Sequence, residues 1–179
     1  GDRFEIVRFS TEAEALFGGL GENSAANRER AEKFIESFRP IGGTAIAEAL
    51  KEAIEPARSE HAQDRPYMVI FLTDGLPTIG ATNDDEIVSQ VKKEIGARTV
   101  RVFSFGIGTE VNTHLLDRLA ADSQAFSQYA LPKEDIEVKL SNFYTKISSP
   151  VLSGLKLTVG GGVKVSKLQP AALPDLFKG

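Results

Sequence analysis

The chain has 179 residues, 41% hydrophobic and 26% charged, which is the composition of one globular domain and not of a disordered segment. Lys and Arg number 21 against 25 Asp and Glu, giving a formal charge of -4 with no basic stripe, so nucleic acid is excluded as an expected partner. There is no Cys, which excludes disulfides, thiolate catalysis and Cys-based zinc sites. The longest unbroken apolar run, Met68 to Leu72, falls far short of the roughly 20 residues of a membrane-spanning helix, and no membrane insertion is expected.

The opening residues GDRFEIVRFS lack the basic start and apolar core of a signal peptide. FEIVRF, residues 4 to 9, reads as a short strand, and Glu14 to Leu20 as an edge strand. Ala31, Phe34, Ile35 and Phe38 then recur at helical spacing up to Pro40. Gly42-Gly43-Thr44 marks a turn, with Thr44 placed as the N-cap of a helix carrying Ala45, Ile46, Ala49, Leu50 and Ala53. Tyr67 to Leu72 is wholly apolar, as expected of a parallel strand covered on both faces. Asn83 or Asp84 caps a helix through Ile87, Val88, Val91 and Ile95, which Gly96 stops. Val100 to Gly106 is a buried strand, Asn112 or Thr113 opens a helix through Leu115, Leu116 and Leu119, Ala125 to Ala130 is a further strand, and Ile136 to Ile147 a last helix.

Strands alternating with helices of 10 to 15 residues imply an α/β fold, a doubly wound, mainly parallel sheet with helices on both faces. Pro150 marks a change of pattern. Residues 155–159 (LKLTV) and 163–168 (VKVSKL) alternate with period two around Gly160-Gly161-Gly162 and read as a β-hairpin. Residues 1–149 are therefore expected to form the α/β domain and 150–179 a β tail belonging to an adjacent β module.

In open α/β sheets, ligands gather beyond the carboxyl ends of the strands, where VIFLTDGLPT places Asp74. A carboxylate held there is either a turn-maker bonded to nearby N–H groups or a ligand for a hard cation, and the residues alone leave both readings open. Thr44 is likewise either a helix cap or a neutral oxygen ligand. GIGTEV, residues 106 to 111, lacks the third glycine of a dinucleotide loop. His61 and His114 stand outside any zinc-like cluster, the acids of TNDDE suit a helix N-terminus, and Ser10, Ser104 and Ser127 lack a nucleophile-elbow context.

GGTAIAEAL, YMVIFLTDGLPTIG and VRVFSFGIGTEVNTHLLDRLA, in this order, resemble a von Willebrand factor type A domain, most of all those of inter-alpha-trypsin inhibitor heavy chains and their bacterial relatives. The resemblance implies a non-enzymatic protein-binding or adhesion module of extracellular or cell-envelope setting. Its metal-ion-dependent adhesion site would use Mg2+, or Mn2+ or Ca2+, to bind an acidic residue of a protein partner. Thr44 and Asp74 match that site's threonine and aspartate. The family's Asp-x-Ser-x-Ser motif does not occur, and GDRFEIVRFS is similar to the family's second strand, which implies a domain lacking its first strand and helix and a site that holds metal weakly. Three repairs are then expected for the exposed strand edges: pairing of FEIVRF with YMVIFL, insertion of LKLTV, or strand exchange in a homodimer. Two rival readings are a Mg2+-dependent α/β enzyme of phosphoryl chemistry, for which no phosphate-cradling loop is found, and a structural module with a degenerate site.

Overall fold

A computed structural model describes residues 1–39, 42–58, 67–148, 150–152, 155, 157–161, 166–167, 173 and 176–177. The N-terminal segment forms an irregular antiparallel hairpin. β1 (Arg3–Phe4) pairs with β4 (Gly21–Glu22), and β2 (Val7–Phe9) pairs with β3 (Ala13–Ala15). The expected continuous strand FEIVRF is split because Glu5 turns its carboxylate back onto the backbone, accepting from the N–H groups of Ile6, Phe17 and Gly19. The same contacts bend the chain at residues 17–19, so the expected edge strand 14–20 is replaced by β3 and β4.

α1 (Ala25–Glu36) starts at Ser24, whose Oγ accepts the Asn27 N–H at 3.2 Å, and it ends before residue 40 with Ser37 as its cap. α2 (Ile46–Ile54) runs into a 3-10 turn, Glu55–Arg58. β5 (Tyr67–Thr73), α3 (Asp84–Ile95), β6 (Val100–Ile107), α4 (Thr113–Asp122), β7 (Ser127–Ala130) and α5 (Ile136–Ile147) follow. The strands form a parallel sheet in the order β5-β6-β7, with Tyr67 opposite Val100 and Ser104 opposite Ser127.

Alternation along β5 and β6 divides the core between two faces. Val69, Phe71, Val100 and Val102 pack with Leu50, Ile54, Ile87 and Leu116 under α2, α3 and α4. Phe103 and Phe105 face the other way, against Phe143 and Ile147 of α5. Three helices thus cover one face and one covers part of the other, where Ile70 and Leu72 stay exposed.

Two of the three expected repairs do not occur. β2 is hydrogen-bonded to β3, and β5 to β6 alone among the described residues. Phe9 approaches β5 through its ring, stacked on Phe71 with centroids 5.5 Å apart, while Ser10 accepts the Ala45 N–H at 2.8 Å. The hairpin is therefore docked on side chains and on α2, not on the backbone of β5. In the tail, Leu155 and residues 157–159 lie in no strand, and 156, 162–165 and 168 fall outside the described residues. The tail's ladder is instead β8 (Pro150–Leu152) with β9 (Leu176–Phe177). Leu157 and Val159 are exposed beside the glycines, so these two side chains do not pack the first arm of the expected hairpin into a core.

Candidate metal-binding edge

β5 delivers Asp74 at its carboxyl end, and the turn is closed by Thr73, whose Oγ1 accepts the Gly75 N–H at 3.3 Å. Asp74 itself is exposed, and no hydrogen bond to a described residue restrains its carboxylate. Thr44 is half-buried just ahead of α2. It is not the helix cap expected from the sequence: Ala45 holds that position with no side-chain cap bond. The backbone of Thr44 is committed elsewhere, because its N–H donates to Thr78 Oγ1 at 2.8 Å and its carbonyl accepts the Thr78 N–H at 3.0 Å.

That exchange clamps the loop after Asp74 onto the start of α2 and sets Thr44 beside the turn that follows Asp74. A β-carbon built on Gly75 would stand 3.5 Å from Thr44 Oγ1. Gly80 completes the clamp at φ +66, where a side chain would meet the Glu48 carboxylate at 2.9 Å. Sequence reading missed Thr78 and Ser10, which fix this geometry from other segments. The only signal was the polar Pro-Thr step in DGLPT, and nothing in it specified a partner 34 residues away.

The helix starts on this edge are satisfied internally. Asn83 Oδ1 accepts the Asp85 and Glu86 N–H groups, and Asn112 Oδ1 the Leu115 N–H. Asp84 bonds Asn112 Nδ2 at 2.7 Å and His114 Nδ1 at 2.9 Å, and Asp85 pairs with Arg118 at 2.7 Å. The acids of TNDDE thus join α3 to α4, and His114 is a surface partner of Asp84. His61 lies outside the described residues.

Thr44 and Asp74 offer a hydroxyl and a carboxylate, the hard oxygen donors that Mg2+ favours. Two donors leave most of an octahedral shell to water, and the described residues contain no group of three His, Asp or Glu able to hold a metal. Among the described residues, Thr44 and Asp74 do not make a complete cation site.

The family model described as von Willebrand factor type A domain matches residues 1–129. The chain belongs to the von Willebrand factor type A family. Inter-alpha-trypsin inhibitor heavy chain H4 of Homo sapiens is 30% identical over 159 residues, covering 86% of this chain and 17% of that protein. Heavy chain H6 of Homo sapiens is 30% identical over 187 residues, covering 99% of this chain and 14% of its own length. The type A chain thus spans less than a fifth of these relatives.

Among solved structures, a von Willebrand factor type A protein from Catenulispora acidiphila superposes with a TM-score of 0.65 at 18% identity, over 80% of this chain and 32% of that one. Proximal thread matrix protein 1 of the mussel byssus gives 0.54 at 26% identity, over 80% and 33%. The first of these likenesses establishes the fold alone. Type A domains commonly hold a divalent metal at an adhesion site. Among the described residues, no helix is long and apolar enough to cross a membrane.

Proposed function

We propose that this type A domain is a non-enzymatic protein-binding module whose recognition surface is the edge carrying Thr44 and Asp74. The observation that carries the reading is the Thr44–Thr78 clamp, which holds a threonine hydroxyl beside the turn of a strand-end aspartate in a type A fold. Asp74 is exposed and makes no hydrogen bond to a described residue, as suits a residue that meets a partner or a cation. At this edge the module recognises an acidic residue of a protein partner, with Mg2+, Mn2+ or Ca2+ as the bridging cation in a complete site. Residues 150–179 belong to a neighbouring β module, a division supported by the antiparallel pairing of β8 with β9 after the last helix.

Mn2+ serves as the probe, because its unpaired electrons broaden nearby NMR signals. Millimolar Mn2+ is expected to broaden the amide signals around Thr44 and Thr73 to Leu76, and Asp74→Ala is expected to abolish the effect. Broadening elsewhere, or unchanged in Asp74→Ala, removes this edge as the cation site. Calorimetric titration with Mg2+ is expected to show weak binding, and tight stoichiometric binding would contradict the two-donor site. Turnover of a phosphoryl substrate that depends on Asp74 would favour the enzyme reading instead.

A further inference from the structure

The segment that clamps Thr44 also packs on the residue before it. Thr78 accepts the Thr44 N–H, and the N–H groups of Thr78 and Ile79 both reach the Thr44 carbonyl, at 3.0 and 3.4 Å. On the far side of that peptide, the Ala45 N–H donates to the Ser10 carbonyl at 2.8 Å. Ile79 then lays its side chain on Gly43, where a β-carbon would stand 2.4 Å from Ile79 Cγ1 and 3.1 Å from Thr11 Cγ2. Carbon atoms in ordinary contact lie about 3.5–4.0 Å apart, so one added methyl group displaces the loop or Ile79 by roughly 1 Å. Gly42 sits at φ +35, a conformation that favours glycine, but Gly43 has no positive φ. Space against Ile79, not backbone conformation, demands a glycine at position 43. Ile79 itself is 37% exposed and belongs to neither core cluster among the described residues, so its packing on Gly43 adds little to the core.

We propose that Ile79 is a positioning residue which, through Gly43, fixes the Thr44 hydroxyl beside the Asp74 turn, a role that rests on this edge being the recognition surface. Hydrogen bonds hold the peptide groups on both sides of the Thr44 α-carbon, and Ile79 stops the preceding residue from sliding. One side-chain torsion then separates a fixed backbone from the hydroxyl. A group placed before its partner arrives avoids the ordering cost that would otherwise be subtracted from affinity.

Two readouts on the 179-residue chain separate placement from use: amide hydrogen exchange in EDTA, and Mn2+ broadening of the Thr44 amide signal. Gly43→Ala overfills the contact and Ile79→Ala empties it. Each is expected to speed exchange of the Thr78 and Ile79 amides about tenfold and to reduce the broadening at Thr44, with the urea midpoint close to that of the parent chain. The double variant, whose new methyl group occupies the space the isoleucine leaves, is expected to recover both readouts towards the parent values. Should Gly43→Ala fail to fold, Ile79→Ala is compared with Ile79→Val, which keeps Cγ1 and is expected to match the parent. Unchanged exchange at these amides in Ile79→Ala, a folded double variant no closer to the parent than the single ones, or exchange that accelerates equally throughout the chain overturns the proposal. Mn2+ broadening that persists in both single variants overturns the positioning role alone, whereas broadening away from this edge in the parent chain overturns the reading of the edge itself.

Discussion

Ser104 is fully buried on the α4 side of β6, and its Oγ finds no hydrogen-bond partner among the described residues. A hydroxyl desolvated without compensation costs stability, so Ser104→Ala is expected to leave stability unchanged or raise it by up to about 1 kcal/mol, measured by urea denaturation. Tyr129 shows the opposite case. Its hydroxyl donates to Asp117 Oδ1 at 2.6 Å, and partial burial followed by the Asp117 contact pushes its pKa from 10.0 up to about 12. Because the folded state holds this proton more tightly than the unfolded chain, its stabilising contribution is complete below pH 10. It is lost as pH rises through about 12. Absorbance titration is expected to show Tyr129 ionising late, with its pKa falling in Asp117→Asn. Neither residue's state was legible in the sequence: Ser104 is one polar letter in an apolar strand, and Asp117 lies 12 residues from Tyr129 on another element.

At the scale of elements, the helices were largely legible because their signals are local. Asn83 and Asn112 stand before apolar residues at helical spacing, and each caps its helix. Asn112→Ala removes a cap and also the Asp84 bond between α3 and α4, and is expected to cost about 1–2 kcal/mol, read from thermal or urea unfolding. β6 shows what local reading leaves out. Gly106 stands one residue from the end of this apolar strand, and a β-carbon there would lie 2.7 Å from the Tyr129 ring and 3.2 Å from Leu116. Gly106→Ala is therefore expected to destabilise by about 1–3 kcal/mol, with Tyr129 displaced from Asp117. Thr44 was placed one residue too far into its helix because cap chemistry was read without the loop that claims its backbone.

At the scale of the molecule, the two faces of the sheet are unequally defended. The α2, α3 and α4 face is continuous, whereas the opposite face depends on α5 and chiefly on Phe143, whose ring meets Phe103, Phe105 and Phe126 at 6.0, 5.7 and 5.4 Å. Phe143→Ala is expected to cost about 3–5 kcal/mol and to accelerate hydrogen exchange in α5 before α2. Ile70 and Leu72 stay exposed on this less covered face.

The sequence by itself determined the α/β class, the order of the parallel strands' elements and the position of Asp74 at a strand end, because hydrophobic period, capping residues and turn residues act over a few positions. Tertiary structure alone decided that β2 turns to β3 rather than to β5, and that Thr78 clamps Thr44 beside the Asp74 turn. Those outcomes depend on which backbone groups and rings meet across tens of residues, and the balance among such competing contacts is set only when the whole chain packs.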